Sequence, residues 1–235
     1  MSANHKGRDF ITGDIHGSFE LLEKILKKIS FNTSVDRIFS TGDLVDRGPF
    51  SKNVLEWLKQ PWFHSIRGNH EQMAIDSING NGDALRHSKN GGDWFYKCSH
   101  HIQKEITLAF NQLPIAIEIS LPNGSTTGII HAEPPNWEEG LEWSKSIALL
   151  DEPIERERTE ALFQALYARK RLNTMDKKPI LGIGNLFVGH STVPKPLRLG
   201  NTFYIDTGCS FPDGSLTIFD IKSMTSTSIQ SENNC

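Results

Sequence analysis

The sequence predicts an α/β fold built on a parallel sheet, and three observations carry that expectation. Strand-like and helix-like segments alternate through the first third of the chain. Each of the first three strand-like segments runs straight into a Gly-led polar turn. The later part changes to short strands separated by turn residues. Phe10-Ile11-Thr12 enters Gly13-Asp14-Ile15-His16-Gly17, after which Ser18 stands where a helix N-cap would, with Glu20 in the first turn. Behind it Phe19, Leu22, Ile25, Leu26 and Ile29 share one helical face, with Lys24, Lys27 and Lys28 outside it. A second strand, residues 37–41, enters Gly42-Asp43, and a helix with apolar Val54, Leu55 and Leu58 follows. The third, residues 63–66, enters Arg67-Gly68-Asn69-His70, and another helix begins near Glu71. Strand, helix, strand, helix, strand implies parallel neighbours.

Further along, residues 115–120 and 127–130 flank Pro122-Asn123-Gly124 as a hairpin. Residues 186–188, 203–205 and 216–219 read as short strands. The acidic stretch 133–160 is expected to be an insertion that borders the cleft, and the Ser/Thr/Asn-rich tail from Lys222 to be flexible. Residues 1–235 then make one domain.

Composition narrows the function class. The 235 residues are 37% hydrophobic and 23% charged, enough apolar material for a real core and too much for wholesale disorder. With 25 basic and 28 acidic residues the formal charge is −3, and no long basic run occurs, so a nucleic-acid partner is not expected. Nowhere do eight apolar residues follow one another, which argues against a membrane span and a signal-peptide core. Cys98, Cys209 and Cys235 are too few and too scattered for a disulfide framework or a CxxC metal site. A reduced, soluble, cytoplasmic protein is the expectation. The sequence sets no oligomeric state.

Chemistry concentrates at the strand ends, where α/β sheets place their sites. Asp14 and His16 are two apart, so an extended segment points both side chains the same way, giving half of a mixed oxygen and nitrogen metal site. Asp43, and Asn69 with His70, close the next two strands; His131 follows Gly128-Ile129-Ile130 and His190 follows Phe187-Val188-Gly189. Singly, each is most simply a turn-forming Asp or a hydrogen-bonded structural histidine. Five Gly-flanked strand ends offering such residues together point instead to one site. His5, His64, His87, His100 and His101 lack this context and read as hydrogen-bonded structural residues, while Cys209 and the aromatics at 94–96 read as packing. There is no GxxxxGK[ST], GxSxG or strand-linked GxGxxG, and a zincin helix starting at His70-Glu71 fails because position 74 is Ala.

Gly13-Asp14-Ile15-His16-Gly17, Gly42-Asp43-Leu44-Val45-Asp46-Arg47-Gly48 and Gly68-Asn69-His70-Glu71 resemble the three signature blocks of the phosphoprotein phosphatase family of binuclear metallophosphoesterases. The spacing agrees: 43 − 14 = 29 and 69 − 43 = 26. Asn90-Gly91-Gly92-Asp93-Trp94-Phe95, His131-Ala132-Glu133-Pro134, Gly189-His190-Ser191 and Tyr204-Ile205-Asp206-Thr207-Gly208 resemble its small bacterial and bacteriophage-lambda-type branch. The similarity covers residues 9–220 and is weakest at 133–160.

The resemblance implies a calcineurin-like αββα sandwich holding two divalent ions, Mn²⁺ foremost, with Fe²⁺ or Zn²⁺ admissible. One ion would take Asp14, His16 and Asp43; the other Asp43, Asn69, His131 and His190, with Asp43 bridging. His70, oriented by Asp46, would protonate the leaving group. Arg47, Asn69 and a later arginine would hold the phosphate; Arg169 matches best, with Arg171 competing. The implied activity is hydrolysis of phosphoserine and phosphothreonine in proteins by a metal-activated water, with phosphotyrosine admissible. The alternative is hydrolysis of symmetrical dinucleoside tetraphosphates. The short chain and the Asn90-Gly91-Gly92 region favour the phosphoprotein. So does an acidic stretch 133–160 bordering the cleft, which would repel a polyphosphate and favour basic residues beside the phosphoresidue. A metal-dead binding scaffold is disfavoured, since no ligand position is missing.

Overall fold

The βαβαβ unit read in the sequence forms the centre of the first sheet of the computed structural model, which describes residues 1–231. β1 (Asp9–Thr12) pairs in parallel with β2 (Arg37–Ser40), and β2 with β3 (Phe63–Ser65). The crossovers are α1 (Phe19–Lys28) and α2 (Val54–Leu58). The second sheet begins as a hairpin of β4 (Ala116–Ser120) and β5 (Thr126–Ile130), continues in parallel through β6 (Asn185–Val188), and ends with β7 (Leu197–Leu199) antiparallel to β8 (Thr202–Tyr204). Its order is β4-β5-β6-β8-β7. β9 (Ser215–Asp220) and β10 (Thr225–Gln230) return antiparallel to the first sheet, giving β10-β9-β1-β2-β3.

Alternation along the strands builds the layers, because successive side chains point to opposite faces. Ile11 and Phe39 of the first sheet meet Ile129 and Phe187 of the second in a buried layer between the sheets. Their neighbours Phe10 and Ile38 face outward onto α1 and onto Phe95 and Phe110, which lie on α5 (Asp93–Tyr96) and α6 (His100–Asn111). On the opposite side, Leu186 and Val188 face Trp143 and Ala165 of α7 (Trp143–Ala148) and α8 (Glu155–Tyr167). The result is the expected αββα sandwich.

The structure corrects several local expectations. Ser18 occupies the N-cap position of α1, but its side chain makes no capping bond. α3 (Asn69–Ile78) starts at Asn69, so Asn69 and His70 are its first residues rather than loop residues before it. The tail from Lys222 is not free: β10 runs in register with β9, Ile229 opposite Leu216, and Thr217 Oγ1 bonds Ser228 Oγ at 2.7 Å. Residues 232–235 of that tail, Cys235 included, lie outside the described residues. Trp137 and Trp143 of the acidic stretch are core residues, so the stretch is anchored rather than laid over the surface. Among the described residues no helix is long and apolar enough to cross a membrane.

Candidate metal centre and acid–base site

Both sheets send their strand ends to one place. Asp14 and His16 follow β1, Asp43 follows β2, Asn69 and His70 follow β3, His131 follows β5 and His190 follows β6. The chain turns sharply as it leaves the strands. His16, Asp43, Asp46, Arg47 and His190 all have positive φ, between 45° and 73°, and make up half of the ten non-Gly residues so disposed among the described residues. Such conformations cost of order 1–3 kcal/mol each and persist only where surroundings over-determine them. Here the loops hold each other: the amides of Ile15 and His16 donate to the Asp43 carbonyl at 3.1 and 2.8 Å, and that of Gly48 donates to the His16 carbonyl at 2.9 Å.

Ligand atoms converge in two groups, each within 4.8 Å: His16, Asp43 and His70, and Asp43, His131 and His190. Asp43 belongs to both. Hydrogen bonds on the far side of each ring set the tautomers. His16 Nδ1 donates to the Val45 carbonyl (2.9 Å), and His131 Nδ1 to that of Thr41 (2.7 Å), so both Nε2 atoms face inward. His190 is reversed: Nε2 donates to the Tyr167 carbonyl at 3.2 Å and Nδ1 faces Asn69 Oδ1 at 2.8 Å. His131 Nε2 lies 2.9 Å from that same oxygen and 3.4 Å from Asp43 Oδ1. Asn69 Oδ1, Asp43 Oδ1 and His190 Nδ1 thus face His131 Nε2, an arrangement that suits a cation. Burial opposes a charge on the His131 ring, yet Asp43 overrides it and lifts the pKa to about 10, so a proton on Nε2 holds the place that a bound cation would take. Burial and His70 push His16 down to about 3, and burial and His131 push His190 down to about 2, keeping both rings neutral. Neutral imidazoles with carboxylate and amide oxygens suit Mn²⁺, Fe²⁺ or Zn²⁺ better than Ca²⁺.

Asp14 stands beside these groups but in neither. Its oxygens accept from Thr41 Oγ1 and the His190 amide, both at 2.8 Å, and burial with Asp206 pushes its pKa well up. Each oxygen keeps a second lone pair for a cation. His70 Nε2 is 3.8 Å from Asp43 Oδ2, while its Nδ1 donates to Asp46 Oδ2 at 2.5 Å. The Arg47 guanidinium donates to His16 Nε2 at 2.7 Å and to His70 Nε2 at 3.1 Å.

These side chains open into a cleft of about 450 Å³ whose lining also includes Arg86, Phe163, Tyr167, Arg169, Thr192 and Phe211. Arg169 reaches Ser191 Oγ at 3.4 Å. Arg171 is only 1% exposed: its guanidinium lies over Trp137 and donates to the Leu199 carbonyl, so it faces the core and not the cleft. No residue of 133–160 lines the cleft. The expectation that this acidic stretch borders it fails because Trp137 and Trp143 tie the stretch to the far face of the second sheet.

Sequence reasoning missed five contributors. His87, read only as a structural histidine, and Trp94, read as packing, donate to Asp46 at 2.9 and 2.7 Å, and Tyr96 bonds His87 at 3.0 Å. Glu71 takes the amides of Gly68, Asp43 and Leu44 at 2.8–2.9 Å. For Glu71 the available signal was its place in the third Gly-led block. Cys209, also read as packing, is buried and donates to the Asp14 carbonyl at 3.1 Å.

A two-sheet sandwich whose strand ends gather histidine, carboxylate and amide donors around one shared Asp, with arginines beside it, defines a metal-dependent phosphoester hydrolase. Residues 10–209 match the Calcineurin-like phosphoesterase family, and the chain belongs to that family. It is 36% identical over 225 residues to serine/threonine-protein phosphatase 2 of Escherichia coli (strain K12), spanning 94% of this chain and 96% of that one. A shorter likeness, 37% over 73 residues, links 30% of the chain to 27% of the symmetrical bis(5'-nucleosyl)-tetraphosphatase of Actinobacillus pleuropneumoniae serotype 5b. Among solved structures, one described as a candidate diadenosine tetraphosphatase superposes over 100% of this chain and 98% of its own, with a TM-score of 0.68 and 22% identity.

Proposed function

We propose that the protein is a serine/threonine phosphatase acting on phosphoproteins, with phosphotyrosine admissible. The observation that carries this reading is the His70–Asp46 pair, 2.5 Å apart, directed at the cleft beside Asp43. An alkoxide is a poor leaving group, so hydrolysis of a phosphoserine gains about 10²- to 10⁴-fold from a positioned acid. A nucleoside phosphate leaves with far less help. The similarity over nearly the whole chain to a serine/threonine phosphatase supports the same reading.

Asp14, His16 and Asp43 would hold one divalent ion, and Asp43, Asn69, His131 and His190 a second. When bound, such ions lower the pKa of water toward about 7 and neutralise phosphoryl charge. Arg47, Asn69 and Arg169 grip the phosphoryl oxygens, the arginines by paired N–H donors. Once protonated at Nε2, in place of the Arg47 N–H bond that this atom accepts, His70 would deliver that proton to the leaving oxygen, and Asp46 holds the ring and stabilises the imidazolium. The aromatic rim of Phe163, Tyr167 and Phe211 gives a second reading its footing, since a nucleobase could stack there: hydrolysis of symmetrical dinucleoside tetraphosphates.

The test is kcat/KM for phosphoserine and phosphothreonine peptides against diadenosine tetraphosphate, each with added Mn²⁺ and after chelation. Higher efficiency on peptides, lost to chelator and restored by Mn²⁺, is expected. A tenfold tetraphosphate preference would promote the second reading, and full activity of metal-free protein would sink both.

A further inference from the structure

Asp46 carries two imidazoles, not one. Its Oδ2 accepts from His70 Nδ1 at 2.5 Å and from His87 Nε2 at 2.9 Å, while Oδ1 accepts from the Trp94 indole at 2.7 Å. His87 is 1% exposed, touches no metal-ligand candidate, and ends the short helix α4 (Ala84–His87). Behind it a line of hydroxyls continues: His87 Nδ1 to Tyr96 OH at 3.0 Å, Tyr96 OH to Ser77 Oγ at 2.7 Å, and Ser77 Oγ to the Met73 carbonyl at 2.8 Å. The far end lies on α3, the helix whose second residue is His70. The line therefore closes a ring of contacts that leaves α3 at His70 and returns to it at Ser77.

The chain makes room for this ring with two glycines. A Cβ on Gly92 would lie 2.3 Å from His87 Cδ2 and 2.4 Å from its Nε2, so a larger residue would push the imidazole off Asp46. Gly91, at φ +98°, brings its carbonyl to the Arg47 amide at 3.2 Å. Both glycines serve the Asp46-Arg47 turn, one through its backbone and one through His87.

We infer that His87 is a positioning residue for the proposed phosphatase reaction, holding the Asp46 carboxylate so that His70 presents its proton to the leaving oxygen. The inference rests on the reading of His70 as the acid. An anionic carboxylate held by three N–H donors is fixed in rotamer, and it fixes in turn the ring of His70 that bonds to it. Loss of His87 frees Asp46 to turn toward Trp94 alone, and His70 loses its orientation.

The test is a leaving-group series on the Mn²⁺-loaded protein, comparing an alkyl phosphate with 4-nitrophenyl phosphate for His87→Phe, His87→Gln, Tyr96→Phe, His70→Asn and the double variant His87→Phe/His70→Asn. His87→Phe should lower kcat on the alkyl phosphate by on the order of tenfold, the scale at which partners of functional side chains act. The aryl phosphate should lose less, and KM and bound Mn²⁺ should be unchanged. His87→Gln, which keeps an N–H donor, should recover most of the loss. In the double variant His87→Phe should add almost nothing to His70→Asn, because the two act through one proton.

Equal losses on both substrates, additivity in the double variant, or loss of Mn²⁺ would overturn the inference. If His87→Phe does not fold, Tyr96→Phe decides by the same criterion: an alkyl-selective loss supports the inference and equal losses overturn it. Should His70→Asn itself show no leaving-group dependence, the fault lies with the acid assignment beneath it.

Discussion

Glu71 grips the backbone of Asp43: the Asp43 amide donates to Glu71 Oε2 at 2.9 Å, and the Leu44 amide to Oε1 at 2.8 Å. A side chain from the third strand end thereby sets the turn at the second. In Glu71→Gln the amide nitrogen would face one of these N–H groups, donor against donor. Burial and Asp43 lift the Glu71 pKa to about 7, so above that pH the loss is expected at about 1.5–3 kcal/mol for bonds to a charged acceptor, with reduced metal content. Thermal unfolding and elemental analysis check this, and a variant with parental Tm and full metal would remove Glu71 from the framework.

Arg169 and Arg171 should fail in different ways. Arg169→Ala is expected to raise KM and lower kcat with the fold intact, since the side chain lines the cleft. Arg171→Ala removes a buried group that bonds the Leu199 carbonyl, so it should cost about 1.5–3 kcal/mol. At roughly 2–4 °C per kcal/mol for a chain of this size, Tm should drop visibly. Kinetic defects confined to Arg171→Ala would reverse the assignment.

Asp43→Asn and His70→Asn separate ligand from acid. Asp43 belongs to both ligand groups, so its loss should lower bound metal and turnover together. His70→Asn should keep the metal and slow hydrolysis of an alkyl phosphate by about 10² or more. A metal-free His70→Asn protein would mean that Nε2, 3.8 Å from Asp43 Oδ2, is a ligand.

Asp46 gives a pH signature. Burial raises its pKa, but the bonds from His70 and His87 win and hold it at about 2, below the usual 3.8. A depressed carboxyl contributes stability that is complete above the unfolded value and is lost as pH falls through the folded one. The Trp94 indole N–H, which bonds Asp46, reports this directly. Its NMR resonance should hold steady from neutral pH to about 4 and shift between about 4 and 2. Movement already near pH 6 would contradict an ionised Asp46.

Local signals made part of this legible. The 3.6-residue face of α1 and the short apolar strand Phe10-Ile11-Thr12 ending at Gly13 declared themselves in sequence, because each is a short-range consequence of burial. The Gly-led strand ends did so because the chemistry needs those residue types where the chain turns. His87 and Trp94 did not, since their partner Asp46 lies 41 and 48 residues away and nothing adjacent to them marks the contact. β10 escaped because an exposed edge strand gains its order from backbone pairing to β9, which a polar side-chain pattern does not reveal. Trp137 and Trp143 were visible among carboxylates, but the burial that carries their segment away from the cleft was not.

Donors from two different sheets meet at Asp43 and His131: one follows β2, the other β5, and behind them the sheets meet through the apolar layer of Ile11, Phe39, Ile129 and Phe187. A cation bound there acts as a rivet between the two halves of the sandwich. Occupancy should then be paid back as resistance to heat: Tm rises with the logarithm of free Mn²⁺ once the site is populated, because a ligand of the native state adds RT ln(1 + [L]/Kd) to its stability. Calorimetry across a Mn²⁺ series reads this slope, and a Tm indifferent to the ion would mean that the sheets hold together without it.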